Sequence, residues 1–240
     1  MGPNNILFED GNMLAVYKPA GFLVHEDGFS EAETVNSWMG EYCPESRGVG
    51  DALQLKDGEE LVRNGIVHRL DKDTSGVLLL AKRDEAYADL KEQFKNRSIQ
   101  KTYRAFTYGA PKTQEGCIDV PIGRSGKDFR LRATGRGVRG AQREAQTHYK
   151  VLGSSGEFGY MELCPKTGRT HQIRVHAKHI HHPIICDPLY APKKKCGLGF
   201  ARLALHAHKI AFNNLSGTLV EVEAPLPDDF LAAERLLFDK

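Results

Sequence analysis

The chain contains a continuous aliphatic run, Val77-Leu78-Leu79-Leu80-Ala81, entered directly from the polar stretch His68-Arg69-Leu70-Asp71-Lys72-Asp73-Thr74-Ser75-Gly76. An apolar run of this length bounded by turn formers reads as a fully buried strand. Any fold that buries it must hold two cations, two acids, two hydroxyls and a glycine at the strand's entrance. Asp73-Thr74-Ser75-Gly76 alone is equally an ordinary turn, so the significance of the stretch depends on the rest of the chain.

Its 240 residues, 40% hydrophobic and 27% charged, suffice for a sizeable core in a single domain spanning 1–240. No apolar run reaches the ~20 residues of a membrane span, and Met1-Gly2-Pro3-Asn4-Asn5 lacks the pattern of a secretory signal. A soluble cytoplasmic protein with no membrane partner is expected. The five cysteines, Cys43, Cys117, Cys164, Cys186 and Cys196, contain no C-x-x-C pair and are expected to be reduced thiols, mostly buried. Net charge is only +2, yet between Arg124 and Arg143 seven cations face the single acid Asp128. That local imbalance favours a phosphate-facing role for Arg130, Arg132, Arg136 and Arg139 over a merely solvated loop.

In chain order, Glu9-Asp10-Gly11-Asn12 between two apolar runs predicts a hairpin. Val35, Trp38, Met39 and Tyr42 predict a short amphipathic helix capped by Thr34 or Ser30, with the tryptophan in the core. A polar surface loop over 44–64 follows. After the buried strand, Asp84 is expected to cap a helix reaching Arg97, and 99–109 returns to strand periodicity. The segment 116–146 has too few apolar positions for a core of its own. Paired strands are expected over 147–152 and 158–164, a helix over 170–180, strands over 203–212 and 219–224, and a final helix within 225–238. Many antiparallel strands with interspersed helices and no βαβ alternation predict an α+β fold around a mixed, mainly antiparallel sheet.

The nonapeptide His68 to Gly76 resembles the H-R-L-D-x-x-T-S-G motif of the RluA family of RNA pseudouridine synthases, and matches every fixed position. Further blocks agree in order: Lys18-Pro19-Ala20-Gly21 with Val24-His25, Lys101-Thr102-Tyr103, Thr167-Gly168-Arg169-Thr170-His171-Gln172-Ile173-Arg174, and Leu205-His206-Ala207. Cys186-Asp187-Pro188-Leu189-Tyr190 matches the family's G-D-x-x-Y except that cysteine replaces glycine. The resemblance covers nearly the whole chain, without the S4 RNA-binding domain that many relatives carry, so the basic segment is the expected supplement to affinity.

The resemblance implies the pseudouridine synthase fold and isomerisation of uridine in structured RNA, rRNA or tRNA, by a monomer without metal or other cofactor. The reaction cleaves the bond from ribose C1′ to uracil N1, turns the base and rejoins it through C5, which loses its proton. Asp71 is the implied nucleophile, Arg174 its ion-pair partner, Ile173 an apolar wall for the uracil, and Tyr103 an aromatic neighbour. Arg69 is implied to fill the space of an extruded base. Arg169, at a turn feeding a helix, suits a phosphate. His68 and Thr74 complete the substrate side, with Thr74 and Ser75 read chiefly as fixing the loop.

Two other classes compete. A non-catalytic RNA-binding or RNA-folding protein on the same scaffold would gain nothing from a carboxylate facing an anionic ligand. A metal-dependent hydrolase would need ligand spacing, and His171 and His176 are five apart, on different helix faces.

Overall fold

The computed structural model describes residues 1–26, 32–51, 53–54, 60–61 and 63–239. The chain forms two compact units, Met1–Gln100 with Lys209–Ala224, and Lys101–His208 with Pro225–Lys240.

The first unit begins with the hairpin β1 (Ile6–Glu9) and β2 (Met13–Lys18), antiparallel in the register Glu9↔Leu14. Asp10 makes the turn by accepting the Asn12 and Met13 N–H groups, both at 2.7 Å. Helix α1 (Val35–Tyr42) is capped by Thr34, whose hydroxyl accepts from the Ser37 N–H. Ser30, the other expected cap, lies outside the described residues, as does part of the 44–64 loop. The rest of that loop includes the two-residue ladder of β3 (Leu53–Gln54) with β4 (Glu60–Leu61). Trp38 is buried and stacks on Tyr42. Strand β5 (Ser75–Ala81) is buried at every position and pairs antiparallel with β2 from Met13↔Ala81 to Lys18↔Gly76. Helix α2 (Asp84–Lys95) has Arg83 rather than Asp84 at its N-cap; Asp84 is the first helical residue and accepts from the Gly50 N–H at 3.1 Å.

The second unit holds a sheet in the order β6-β12-β11-β7, from β6 (Gln100–Tyr108), β7 (Glu115–Asp119), β11 (Gln146–Ser154) and β12 (Phe158–Pro165). Between β7 and β11 lies a separate three-stranded sheet, β10-β8-β9, of β8 (Ile122–Ser125), β9 (Arg132–Thr134) and β10 (Val138–Arg143). This segment has too little apolar content of its own, and its small core is borrowed: Ile122 and Ala145 cluster with Val175 and Tyr190 from later in the chain.

Helix α3 (Gln172–His179) starts two residues later than the sequence predicts because His171 adopts φ +57. Thr170 is therefore outside the helix and does not share a helical face with Arg174. Strand β13 (Leu205–Asn213) is cut by the unit boundary, and its C-terminal part pairs antiparallel with β14 (Leu219–Glu223) in the first unit. Helix α4 (Asp228–Phe238) brings Phe230 into an aromatic cluster with Phe106 and Phe200, and Phe106 stacks on Tyr160 at 4.3 Å. The ladders β1–β2, β2–β5, β6–β12, β11–β12 and β13–β14 are antiparallel, with isolated parallel bridges Leu23↔Thr34 and Gly109↔Phe158, so the α+β, mixed and mainly antiparallel class holds.

The expectation of five reduced and mostly buried thiols does not hold. Cys186 and Cys196 form a disulfide, because the intervening excursion brings their Cα atoms to 4.8 Å; of the free thiols Cys43 is buried, Cys164 half-buried and Cys117 exposed. Among the described residues no helix is long and apolar enough to cross a membrane.

Candidate active site

Asp71 sits half-buried in a turn that the Thr74 N–H closes by donating to the Asp71 carbonyl at 3.1 Å. The loop is pinned from the end of β2. Lys18 is 0% exposed, and its Nζ donates to the carbonyls of Pro19 and Phe22 at 2.8 Å and of Lys72 at 2.9 Å. The Gly21 N–H donates to the same Lys72 carbonyl at 2.9 Å, from a left-handed φ of +83 that favours glycine. Desolvating an ammonium is costly, and the three carbonyls offset that cost only in this geometry. The Lys18-Pro19-Ala20-Gly21 element thus fixes the residue next to Asp71.

The flanking motif residues divide between scaffold and surface. His68 Nε2 accepts from the Leu79 N–H at 2.9 Å, which places the ring proton on Nδ1, and the ring lies 4.8 Å from that of Phe94. Thr74 and Ser75 are buried, while Arg69 is exposed. His25 is held neutral: burial first, then the charges of Arg63 and Arg69, push its pKa down to about 4.

In the second unit, Tyr103 stands half-buried on β6 and packs against the apolar cluster that contains buried Ile173 of α3. The neighbouring residue on that helix, Arg174, is buried and clasped at two points by Asp187: Nε to Oδ2 and Nη2 to Oδ1, both 2.8 Å. Asp187 Oδ1 also accepts the Leu189 and Tyr190 N–H groups at 2.9 Å. The guanidinium lies 5.2 Å from the centre of the Tyr190 ring. Buried charge is tolerated where the guanidinium and carboxylate are paired and hydrogen-bonded in this way, and the result is an arginine locked in one orientation. Cys186 beside it takes φ +55, so the backbone conformation that favours glycine in G-D-x-x-Y is retained with a cysteine.

The Thr167-Gly168-Arg169 turn is organised by Gln172, whose Oε1 accepts from the Thr167 hydroxyl at 2.7 Å and the Arg169 N–H at 3.0 Å. Arg169 Nε donates to the Glu144 carbonyl at 2.9 Å. Lys101 is a half-buried amine near this turn, its Nζ 3.5 Å from the Thr167 carbonyl, and burial pushes its pKa down to about 8. His176 is fully buried, between the Val120 carbonyl at 3.0 Å and the Thr147 hydroxyl at 2.9 Å, and burial lowers its pKa.

The basic segment carries an ordered charge array. Register pairs Arg124 with Arg132 on one side and with Arg139 on the other. Residues directly opposite on neighbouring strands project to one face, so three arginines form a row across the β10-β8-β9 sheet. Like charges in that arrangement are destabilising unless an anion covers them. Arg124 and Arg139 are exposed and Arg132 is half-buried. Arg130 differs, because Asp128 accepts from its Nη2 at 2.8 Å and its Nε at 3.1 Å. Arg136, in the turn between β9 and β10, is exposed.

Three contributions were not legible as such in the sequence. Asp187 stood out only as part of a motif with one mismatch, not as the carboxylate that orients Arg174. Lys18 belongs to the Lys18-Pro19-Ala20-Gly21 block, but the block does not reveal that its amine is buried against the Lys72 carbonyl. Arg124 was counted in the basic stripe but not singled out, because only the strand register places it in the row.

Comparison with known proteins places this arrangement. The sequence model described as RNA pseudouridylate synthase matches residues 12–179. An uncharacterized RNA pseudouridine synthase of Synechocystis sp. is 36% identical, over 98% of this chain and 68% of its own. A ribosomal large subunit pseudouridine synthase D of Zymomonas mobilis is 37% identical, over 98% of this chain and 73% of its own. The solved structure of human RNA pseudouridylate synthase domain containing 4 superposes with a TM-score of 0.75 at 26% identity, covering 98% of this chain and 93% of that one. With the motif loop, the K-x-Y strand and the T-G-R helix all present, the chain belongs to the RluA-type family of RNA pseudouridine synthases, isomerases that act on RNA.

Proposed function

We propose that Asp71 is the nucleophile of this isomerase and that it works with Tyr103, Ile173 and Arg174 on a single extruded uridine, the two units serving as one catalytic domain over 1–240. The observation that carries this reading is the locked Arg174. An arginine held charged and oriented by Asp187, one residue from an apolar wall, is what a desolvated catalytic carboxylate needs to stay ionised. The uracil then rests between Ile173 and Tyr103, and Asp71 attacks either ribose C1′ or uracil C6. Breakage of the N1 glycosidic bond, rotation of the base and closure through C5 follow, with loss of the C5 proton and gain of one at N1.

Arg69, exposed beside Asp71, fills the space left by the extruded base, and Arg169, with His68 and Thr74 shaping the loop, completes the substrate side. Arg130, Arg132, Arg136 and Arg139 follow the RNA backbone, with Arg124 added by the strand register. The substrate is structured RNA, rRNA or tRNA, and the similarity to the ribosomal large subunit pseudouridine synthase D of Zymomonas favours large-subunit rRNA. The protein acts as a monomer in the cytoplasm.

The test uses RNA carrying tritium at uridine C5. The wild-type protein releases the label, and Asp71→Asn and Asp71→Ala release none while still binding RNA. Release at the wild-type rate by either variant refutes the role of Asp71. Mapping pseudouridines in total RNA with and without the gene identifies the target, and sites confined to tRNA would overturn the large-subunit assignment.

A further inference from the structure

Phe129 is the most exposed large apolar residue among those described, with 87% of its surface accessible. It lies in the connection between β8 and β9, inside the basic sheet. Isolated exposed apolar side chains are common and carry no message by themselves. Two features of its setting set this one apart.

The first is that the loop holding it is closed by a network of hydrogen bonds. Asp128 accepts from the Arg130 backbone N–H at 2.9 Å as well as from its guanidinium, a clasp that closes around Phe129. Around that clasp, the Leu131 N–H donates to the Asp128 carbonyl at 3.0 Å, the Ser125 N–H to the Leu131 carbonyl at 3.1 Å, and the Lys127 N–H to the Ser125 hydroxyl at 3.1 Å. The strand below is anchored as well, because the Arg132 N–H donates to the Tyr190 hydroxyl at 2.9 Å and Thr134 bonds His179 at 3.0 Å. The ring is held out by ordered structure.

The second is the charge around it. The loop springs from the Arg124–Arg132 pair, with Arg139 beside Arg124 and exposed Lys127 two residues before Phe129. An apolar protein surface or a lipid interior would not match a ring set among cations. A nucleic acid matches both parts, offering phosphates to the arginines and π-faces to the ring.

We propose that Phe129 is a stacking platform for an unpaired base of the RNA, next to the backbone path set by the arginine row. A paired duplex hides its base faces, so the platform selects loops, bulges and single strands. The inference rests on the reading of the basic sheet as an RNA-facing surface, and it adds a preference for unpaired RNA that charge alone cannot supply.

The experiment compares wild-type protein, Phe129→Ala and Phe129→Trp for binding to two RNAs of equal length across a series of salt concentrations: a hairpin with a wide loop of unpaired bases and a fully paired duplex. Wild-type protein is expected to prefer the hairpin. Phe129→Ala is expected to lose roughly tenfold in hairpin affinity, at the low end of what base–aromatic stacking contributes. It should bind the duplex unchanged and keep the wild-type salt slope, since a phenyl ring displaces no counterions. Phe129→Trp should retain the preference. Equal hairpin binding by wild type and Phe129→Ala overturns the proposal, as does a changed salt slope. Tritium release from total RNA is measured alongside. If wild type releases label and Phe129→Ala binds the hairpin normally, the platform is refuted and the enzyme reading stands. If wild type releases none and Phe129→Ala still loses the hairpin, the platform stands and the catalytic reading fails.

Discussion

The loop that presents Asp71 and the sheet that presents the arginine row carry comparable densities of charge and are built in opposite ways. Around Asp71 the chain spends its polar groups inward: Lys18 is buried against three carbonyls, His68 accepts from the buried strand β5, and Thr74 and Ser75 are out of solvent. In the β10-β8-β9 sheet Arg124, Arg136 and Arg139 point to solvent. The difference matches the roles proposed for the two regions. A reacting carboxylate must be held to within a fraction of an ångström, which requires buried donors and acceptors. A phosphate track needs only positive potential at the surface, where precision has little value and screening by salt is strong.

If that contrast is right, changes in the two regions must be read out differently, and the largest effect should come from the buried clasp. Asp187→Ala removes the two-point carboxylate clasp on the buried Arg174 and should lower stability by about 3–5 kcal/mol, visible as a fall in the denaturation midpoint. The loss of activity should persist at temperatures where the variant is still folded. A variant that melts as the wild type does would show that the clasp is not structural.

Lys18→Met removes the tie between the Lys18-Pro19 turn and the Lys72 carbonyl. A misplacement of Asp71 by about 1 Å should slow single-turnover isomerisation by roughly 100-fold with little change in RNA affinity. An affinity loss equal to the rate loss would mean that Lys18 acts on RNA instead.

In the sheet the expected effects are reversed. Replacing Arg124, Arg132 and Arg139 by glutamine should flatten the dependence of log K on log salt by about 2, at roughly 0.7 per phosphate contact on single-stranded RNA, with the chemical step unchanged. It should also raise stability slightly by removing like charges from opposed register positions. An unchanged slope would turn the row into a solvated surface.

The smallest effect concerns pH. His25 is neutral in the folded protein down to about 4, whereas an unfolded histidine takes its proton near 6.5. Between those values the unfolded chain binds more protons, so this contribution to stability is present above about pH 6.5 and is lost as the pH falls toward 4. His25→Gln should remove on the order of 1 kcal/mol from the acid-side slope of stability, after allowance for solvent screening. Urea midpoints measured across that range check it, and an identical slope in the variant would contradict it.

Local chemistry explains which elements the sequence disclosed. The hairpin at Asp10-Gly11 and the cap at Thr34 are signals carried within a few residues, and both appear where expected. What stayed hidden depends on partners far along the chain. The strands of the basic segment draw their core from Val175 and Tyr190, so its composition resembled a loop. The Cys186–Cys196 bond depends on the path of the intervening residues, which spacing does not reveal. The late start of α3 follows from the left-handed His171, a conformation with no local sequence cue. In the site, the motifs singled out Asp71, Tyr103 and Arg174, the residues proposed to carry the chemistry. They did not disclose the supports, Lys18 and Asp187, whose roles lie in hydrogen-bond geometry.

The central claim is that Asp71 and Arg174 act as one unit on one uridine, and a double-mutant cycle tests it most directly. Single-turnover tritium release is measured for wild type, Asp71→Glu, Arg174→Lys and the double variant. Residues that act together give non-additive losses, so the double variant is predicted to lose little more than the worse single variant. Losses that simply multiply would show the two residues working independently and would contradict the account.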